Sequence, residues 1–194
     1  MIFAAGMGTR LQPFTDNHPK ALAQVNGVPL LERNIKYLQS YGINDFVINI
    51  HHFGGQILAF LAENDNFGAN IEISNESDEL LETGGGLLFA KRFLENEKTF
   101  LIMNVDILTD LNITNFINIH ELKGGMVTLA VSDRDSTRKL MFNDKMYLKG
   151  WKNLTTNKKP VVGGTFKLRE LAFSGVHCVT SEIFTNITRP GKFF

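Results

Sequence analysis

The chain has 194 residues, of which 43% are hydrophobic, and its 20 basic and 20 acidic residues give a formal net charge of zero. One domain with a sizeable core fits this length, but the charge provides no basic surface for nucleic acid or an anionic membrane, and no apolar stretch approaches the roughly 18 residues of a membrane span. A single cysteine, Cys178, excludes an internal disulfide, and we expect a cytoplasmic protein without nucleic-acid or membrane partners.

The chain opens with an apolar run, Met1 to Ala5, that predicts a buried strand and leads into a glycine-containing loop. Gly6 and Gly8 allow backbone N–H groups to approach an anion closely, Arg10 can form paired hydrogen bonds with phosphate oxygens, and Lys20 adds a mobile point charge. The loop is not a Walker A motif, because no Gly-Lys-Ser/Thr follows, and it lacks the third glycine of a dinucleotide fingerprint. These residues predict a phosphate-binding loop of another kind.

The following segments alternate between helix and strand. We predict a helix that starts at Pro29 and closes at Gly42, a strand at Phe46–Ile50, a helix around Ile57–Leu61 and a strand at Ile71–Ile73. This order predicts an α/β, Rossmann-like fold with a mainly parallel sheet and helices on both faces. In such sheets ligands bind at the carboxyl ends of the strands, where the loop after Ala5 would lie.

Three consecutive glycines follow Glu82 and Thr83 at the start of an apolar helix. Each glycine inside a helix costs about 1 kcal/mol relative to alanine, so this run costs about 2–3 kcal/mol unless it lies outside the helix proper. One interpretation is that a flat ligand, a base or a sugar ring, packs where side chains would collide. The other interpretation is a flexible turn capped by Thr83.

The apolar run Thr99–Asn104 predicts a buried strand that ends just before Asp106. A carboxylate in that position could hold a hard divalent cation that bridges phosphates, or it could be a turn or cap residue. We predict that Asp110 caps the next helix, which carries Ile113 and Phe116.

Beyond a further strand at Met126–Ser132 the character of the chain changes. Residues 133–170 alternate short polar pieces with short apolar runs such as Thr165-Phe166, a pattern that predicts antiparallel hairpins inserted beside the main sheet. The last predicted strand, Ala172–Val176, is interrupted by a Ser-Gly pair, which indicates either close approach of a ligand or backbone packing.

The sequence resembles the sugar-1-phosphate nucleotidyltransferases, or NDP-sugar pyrophosphorylases, and is most similar to their short bacterial N-acetylmuramate-1-phosphate uridylyltransferase and mannose-1-phosphate guanylyltransferase-like type. The resemblance rests on Gly6-Met7-Gly8-Thr9-Arg10 followed by Pro19-Lys20, and on Glu82-Thr83-Gly84-Gly85-Gly86. It implies one nucleotidyltransferase domain over residues 1–194. Such a domain would use Mg²⁺ to transfer the nucleotidyl group of an NTP, here UTP, to a sugar 1-phosphate and release pyrophosphate.

The resemblance also implies roles for individual residues. The implied nucleotide-binding residues are Ala5, Gly6, Gly8, Thr9, Thr83 and Gly84. The implied sugar-phosphate-binding residues are Gly85, Lys152, Ser174 and Gly175. The implied catalytic residues are Arg10, Lys20 and Asp106, and Asp106 is also the implied Mg²⁺ ligand.

Within these roles, Arg10 would steady the departing pyrophosphate, and Lys20 would bridge the α-phosphate and the incoming phosphate. The sequence departs from the family pattern at two places. Val105 stands where the family usually has glycine, and Trp151-Lys152-Asn153 stands in place of the family's Glu-Lys-Pro.

The family places a second metal-binding aspartate near its C-terminus in a Trp-x-Asp-x-Gly context, and this sequence ends without it. We therefore expect that the C-terminal end is missing, and that the N-terminus lacks a few residues of the family's first strand. Two other functions stay open: a catalytically silent nucleotide- or sugar-nucleotide-binding module, and nucleotidyl transfer to a non-sugar phosphate acceptor. GTP and other nucleotides stay open as alternatives to UTP, and the acceptor could be the 1-phosphate of N-acetylmuramate, N-acetylglucosamine, mannose or glucose.

Overall fold

The computed structural model describes residues 1–76, 80–156 and 167–187. Its helices are α1 (Leu30–Gln39), α2 (Gly54–Glu63), α3 (Glu82–Phe89), α4 (Lys91–Leu94), α5 (Ile113–Lys123) and α6 (Ile183–Asn186). Its strands are β1 (Ile2–Phe3), β2 (Gln24–Val25), β3 (Val28–Pro29), β4 (Asp45–Ile50), β5 (Asn70–Asn75), β6 (Thr99–Asn104), β7 (Val127–Ser132), β8 (Arg138–Phe142), β9 (Leu148–Asn153) and β10 (Arg169–Thr180). Within the described ranges, no helix is both long and apolar enough to cross a bilayer.

The chain divides into two compact units, one formed by Met1–Thr128 with the chain from His177 onwards, the other by Leu129–Val176. The first unit contains a parallel sheet with the order β5-β4-β1-β6. Ile2 of β1 pairs with Ile48 on one side and with Met103 on the other. The mainly parallel sheet predicted from the alternating helices and strands is confirmed.

Strand β1 is shorter than the predicted run from Met1 to Ala5 because the chain leaves the sheet after Phe3. The backbone N–H groups of Ala4 and Ala5 donate to Oδ1 of Asn49, at 2.7 and 3.4 Å, instead of to a neighbouring strand. The phosphate-binding loop predicted from the sequence therefore starts at Ala4.

The core of the first unit is built from the apolar residues that gave the sequence its periodicity. Ile48 and Ile102 of the sheet are fully buried, as are Leu31 and Ile35 of α1 and Ile57 of α2. Burial of an aliphatic side chain of this size contributes about 1.5–3 kcal/mol, so these helix faces hold the helices against the sheet.

The second unit has the antiparallel character predicted for residues 133–170. Strand β8 pairs antiparallel with β9, where Leu140 faces Trp151, and with the start of β10, where Leu140 faces Leu171. The predicted apolar run Thr165-Phe166 lies outside the described residues.

Two predicted helix starts are wrong by one or two residues. Pro29 pairs with Gln24 in the short β2–β3 hairpin, so α1 begins one residue later, at Leu30. Asp110 does not cap α5: the N-cap is Asn112, whose side chain accepts a hydrogen bond from the backbone N–H of Asn115 at 2.8 Å.

Replacement of this cap gives a prediction for stability. Asn112→Ala removes the acceptor for an otherwise unsatisfied N–H of the first turn, and we expect it to lower the free energy of unfolding by about 1 kcal/mol. Urea unfolding measures the change. The matched control is Asp110→Ala at an exposed position two residues earlier, and a larger loss in that variant would contradict the assignment of the cap.

Candidate active site

The loop after β1 is fixed by hydrogen bonds to the carbonyl of Gly8. This oxygen accepts from the backbone N–H of Leu11 at 2.8 Å and from Oγ1 of Thr15 at 3.0 Å. Gly8 has φ +65°, and a Cβ at this position would lie 2.9 Å from both Cβ of Lys20 and Cγ2 of Thr15. Glycine is required here both by the backbone conformation and by the close approach of these side chains.

The tip of the loop presents polar backbone groups to an open space. Gly6 and Met7 are exposed, and no described residue accepts a hydrogen bond from the backbone N–H groups of Gly6, Met7 or Gly8. Successive N–H donors of this kind form a concave site for an anion. Arg10 is exposed beside them and makes no ion pair with a described acidic residue.

Lys20 and Asp106, 86 positions apart in the sequence, form an ion pair with 3.3 Å between Nζ and Oδ2. The side chain of Lys20 is 15% exposed and that of Asp106 is 29% exposed. Asp106 follows β6, the direct neighbour of β1, and the parallel register therefore brings it to the same edge of the sheet as the glycine loop. A Cβ on Gly6 would lie 3.3 Å from the same Nζ, so the Lys20 ammonium lies between the loop and Asp106.

Val105, which replaces the family's glycine, is directed into the core. It is fully buried, its N–H donates to the carbonyl of Phe3 at 3.0 Å, and its carbonyl accepts from Nδ2 of Asn34 at 2.8 Å. These two hydrogen bonds fix the backbone directly before Asp106. The larger side chain therefore packs away from the space beside Asp106.

Two cavities, each of about 410 Å³, adjoin the glycine loop. The first, here called the loop cavity, contains seven of the predicted site residues in its lining: Ala5, Gly6, Gly8, Thr9, Arg10, Lys20 and Thr83. The second, here called the Asp106 cavity, is lined by five of them: Gly8, Thr9, Arg10, Lys20 and Asp106. Arg10 and Lys20 thus stand between a space large enough for part of a nucleotide and a space that contains the carboxylate.

Four polar residues of the loop cavity were not predicted as site residues: Asn49, Glu76, Glu82 and Asn104. The first two form a buried pair. Both are only 3% exposed, and Nδ2 of Asn49 donates to Oε1 of Glu76 at 2.7 Å. Signals for both were present, since Asn49 interrupts the apolar run of β4 and Glu76 is a carboxylate directly after β5.

The three glycines lie inside α3 rather than before it. Gly85 and Gly86 are buried, and a Cβ on Gly86 would lie 2.6 Å from Oε1 of Glu76. At Gly86 the space that a side chain would need is therefore filled by a protein carboxylate and not by a flat ligand. Thr83 lines the loop cavity, whereas Gly84 and Gly85 stay predictions without a described contact to either cavity.

The remaining predicted sugar-phosphate residues belong to the second unit. Lys152 of β9 forms an ion pair with Glu170 of β10. Ser174 donates to the hydroxyl oxygen of Ser132 at 3.3 Å, and Gly175 is buried with φ +77° within β10. Their predicted contact with a sugar phosphate stays a prediction.

Asp106, the predicted metal ligand, lies beside the glycine loop. The described part of the chain contains no group of three or more His, Cys, Asp or Glu residues that could hold a metal ion. Mg²⁺ is commonly held by one or two carboxylates together with substrate phosphates and water. A single partly exposed carboxylate beside an anion-binding loop fits that mode of binding and does not fit a cage made of protein ligands alone.

Comparisons with known proteins identify the family of the chain. The family model described as "Nucleotidyl transferase" matches residues 1–140. An N-acetylmuramate alpha-1-phosphate uridylyltransferase from Neisseria meningitidis is 40% identical over 114 residues, which are 59% of this chain and 49% of that protein. A mannose-1-phosphate guanyltransferase from Gibberella zeae is 33% identical over 134 residues, 68% of this chain and 36% of that protein. The chain thus matches about half or less of the length of these two relatives.

A solved structure of similar fold is HddC from Yersinia pseudotuberculosis, complexed with GMP-PN. The two structures align with a TM-score of 0.78 over 99% of this chain and 80% of that chain. Their sequences are 20% identical, so the likeness supports the α/β nucleotidyltransferase fold alone.

Proposed function

This chain belongs to the nucleotidyl transferase family, and from that membership we propose that it transfers the nucleotidyl group of an NTP to a sugar 1-phosphate, giving an NDP-sugar and pyrophosphate. The single observation that carries the proposal is the position of the Lys20 ammonium, 3.3 Å from Asp106 and next to the exposed N–H groups of the glycine loop. A nucleoside triphosphate bound by this loop would lie beside the Lys20 ammonium, the Arg10 guanidinium and the Asp106 carboxylate.

The residues present suit a reaction that needs no protein nucleophile. In an in-line displacement at the α-phosphorus, an oxygen of the sugar phosphate forms the new P–O bond while the bond to pyrophosphate breaks. The protein must then supply positioning and charge neutralisation. The N–H groups of Gly6 and Gly8 would hold phosphate oxygens, and the Arg10 guanidinium would stabilise the departing pyrophosphate by paired hydrogen bonds.

Lys20 has a different role in this proposal. Its ammonium would contact both the α-phosphate and the incoming phosphate, two anions that repel one another on approach. Because the side chain is only 15% exposed, water screens its charge less than that of a surface lysine. The ion pair with Asp106 keeps the ammonium near the loop in the absence of substrate.

Asp106 is the residue that would hold Mg²⁺ together with the substrate phosphates. The ion, when bound, would neutralise negative charge on those phosphates. When substrate binds, the Lys20 ammonium would turn from Asp106 towards the phosphate oxygens, which would leave the Asp106 carboxylate to hold the ion. The Asp106 carboxylate would thus pair with Lys20 before the substrate binds and with Mg²⁺ afterwards.

The proposed substrates are UTP and a sugar 1-phosphate. The 40% identity with a uridylyltransferase from Neisseria meningitidis supports UTP, and the name of that relative makes N-acetylmuramate α-1-phosphate the first acceptor to test. Gly85, Lys152, Ser174 and Gly175 are the residues proposed to bind the sugar phosphate. Lys152 would do so by exchanging the carboxylate of Glu170 for the phosphate.

The test is pyrophosphate release with Mg²⁺, measured for UTP, GTP, CTP and dTTP against a panel of sugar 1-phosphates. We expect release with UTP that depends on the presence of a sugar 1-phosphate. Nucleotide binding without release would favour a silent binding module, and release only with a non-sugar acceptor such as phosphocholine would favour the other alternative. Either of these results would overturn the proposal.

A further inference from the structure

Glu76 is a buried carboxylate at the end of β5 that the proposed reaction does not use. It is 3% exposed, although it borders the loop cavity. Its Oε1 accepts from Nδ2 of Asn49 at 2.7 Å, and its Oε2 accepts from the backbone N–H of Leu81 at 3.1 Å. A carboxylate removed from water in this way is costly unless both oxygens are hydrogen-bonded, and here both are.

The first of these bonds fixes the direction in which the Asn49 amide points. An ionised carboxylate only accepts hydrogen bonds, so the NH₂ group of Asn49 must face Glu76 and the carbonyl must face the other way. That carbonyl accepts from the N–H groups of Ala4 and Ala5 at 2.7 and 3.4 Å. If the amide were turned round, its NH₂ group would face two N–H donors and no bond to the loop would remain.

The second bond reaches the opposite wall of the loop cavity. Leu81 directly precedes α3, and Thr83 in the first turn of that helix lines the cavity. The bond from the Leu81 N–H therefore ties the start of α3 to the same carboxylate that orients Asn49.

Gly86 of α3 packs directly against the Glu76 carboxylate. A Cβ at this position would lie 2.6 Å from Oε1 of Glu76 and 3.2 Å from Nδ2 of Asn49. Both contacts are closer than ordinary van der Waals distance, and glycine is therefore the residue that lets the carboxylate and the amide keep their places. The carboxylate is held by two donors and by the backbone of α3.

We propose that Glu76 is a positioning residue of the nucleotide site. Through Asn49 it holds the first residues of the glycine loop, and through Leu81 it holds the segment that carries Thr83. One side chain thus fixes both walls of the loop cavity. The inference rests on the proposed function, because it takes the loop cavity to be the place where the NTP binds.

Two single substitutions disrupt the network in different ways. In Glu76→Gln the new amide offers one acceptor to two donors, so the N–H group of Leu81 or the amide of Asn49 loses its partner. In Asn49→Asp two carboxylates face each other across 2.7 Å. For each variant we expect the dissociation constant for UTP to rise at least about tenfold, which corresponds to about 1.4 kcal/mol.

The double variant Glu76→Gln with Asn49→Asp restores every bond with the charge moved from one side chain to the other. The NH₂ group of the amide now at position 76 donates to one oxygen of the new carboxylate, and the carbonyl of that amide accepts from the N–H of Leu81. The other oxygen of the new carboxylate accepts from the N–H groups of Ala4 and Ala5. We expect UTP affinity to return to within about threefold of the wild type, a difference of about 0.6 kcal/mol. A carboxylate at position 76 that itself touched the nucleotide would leave the double variant as weak as Glu76→Gln, and that result would overturn the inference.

The measurement is calorimetric titration with UTP, paired with KM for UTP and for the sugar 1-phosphate and with thermal unfolding. A positioning role predicts a rise in KM for UTP and an unchanged KM for the sugar 1-phosphate. A lower unfolding temperature with unchanged UTP affinity in both single variants would contradict it. Glu72→Gln, at an exposed position of β5, is the matched control and should leave UTP affinity unchanged.

If the single variants do not fold, Gly86→Ala supplies an independent perturbation, because both polar residues remain and only the added methyl group displaces the carboxylate. We expect weaker UTP binding, and wild-type affinity would overturn the inference. Failure of the proposed function is distinguishable, since the wild-type protein would then release no pyrophosphate from UTP and a sugar 1-phosphate, whether or not it binds UTP. Wild-type binding that survives all of these substitutions would reject the positioning role alone.

Discussion

Lys20→Ala is expected to lower turnover at least about a hundredfold, as happens when a cation that stabilises transition-state charge is removed. The fold should persist, because the lost partner, Asp106, is 29% exposed and partly exposed ion pairs contribute only about 0–1 kcal/mol. The measurement is the initial rate of pyrophosphate release at saturating UTP and sugar 1-phosphate, with circular dichroism to verify folding.

The matched control for this substitution is Lys36→Ala. Lys36 is 59% exposed, pairs with Glu32 one helical turn away and takes no part in the proposed site, so the control should retain wild-type turnover. Wild-type turnover by the folded Lys20→Ala protein would remove Lys20 from the mechanism.

Asp106→Asn is expected to abolish the dependence of activity on Mg²⁺ together with the activity itself. The substitution keeps the size of the side chain and removes its charge, and the described residues contain no group of three or more His, Cys, Asp or Glu that could hold the ion instead. Rates measured over a range of Mg²⁺ concentrations, and direct titration with Mn²⁺ in the presence of UTP, test the two halves of this prediction.

Asp110→Asn provides the comparison, because it removes an acidic residue that is exposed and only four positions further along. It should leave the Mg²⁺ dependence and the Mn²⁺ titration unchanged. The metal assignment would be wrong if Asp106→Asn kept the same Mg²⁺ dependence as the wild type.

The residues that sequence reasoning predicted for the site are of types that serve one particular task. Glycines with a fixed cation two residues later indicate an anion-binding loop, and a carboxylate directly after a buried strand indicates the ligand edge of a parallel sheet. The choice of Gly8, Arg10, Lys20 and Asp106 also needed the resemblance to the nucleotidyltransferases, because the residues alone left a turn or cap role open for Asp106. Their closeness follows from the adjacency of β1 and β6, which strand order in the sequence does not reveal.

The part that sequence reasoning missed consists of residues whose role depends on their neighbours. Asn49 and Glu76 are 27 positions apart, and their role depends on a hydrogen bond between a side chain of β4 and one directly after β5. The reason for glycine at position 86 is the carboxylate packed against it, so the functional and the structural interpretations of the glycine run could not be separated before the structure was known.

Local boundaries failed for a related reason. Asp110 and Asn112 are equally good cap residues by type, and the backbone conformation decides between them. Pro29 suits the first position of a helix, but the two-residue turn at Asn26-Gly27 pairs it with Gln24 instead. Residue type alone therefore could not fix either helix start.

The most direct test of the central claim is to follow the α-phosphate of the nucleotide. With UTP carrying ³²P at the α-position, Mg²⁺ and the sugar 1-phosphate that supports pyrophosphate release, we predict that the label appears in a sugar nucleotide and that the released pyrophosphate carries none. Label that stays in UTP or appears only as UMP would contradict nucleotidyl transfer to a sugar phosphate at this site.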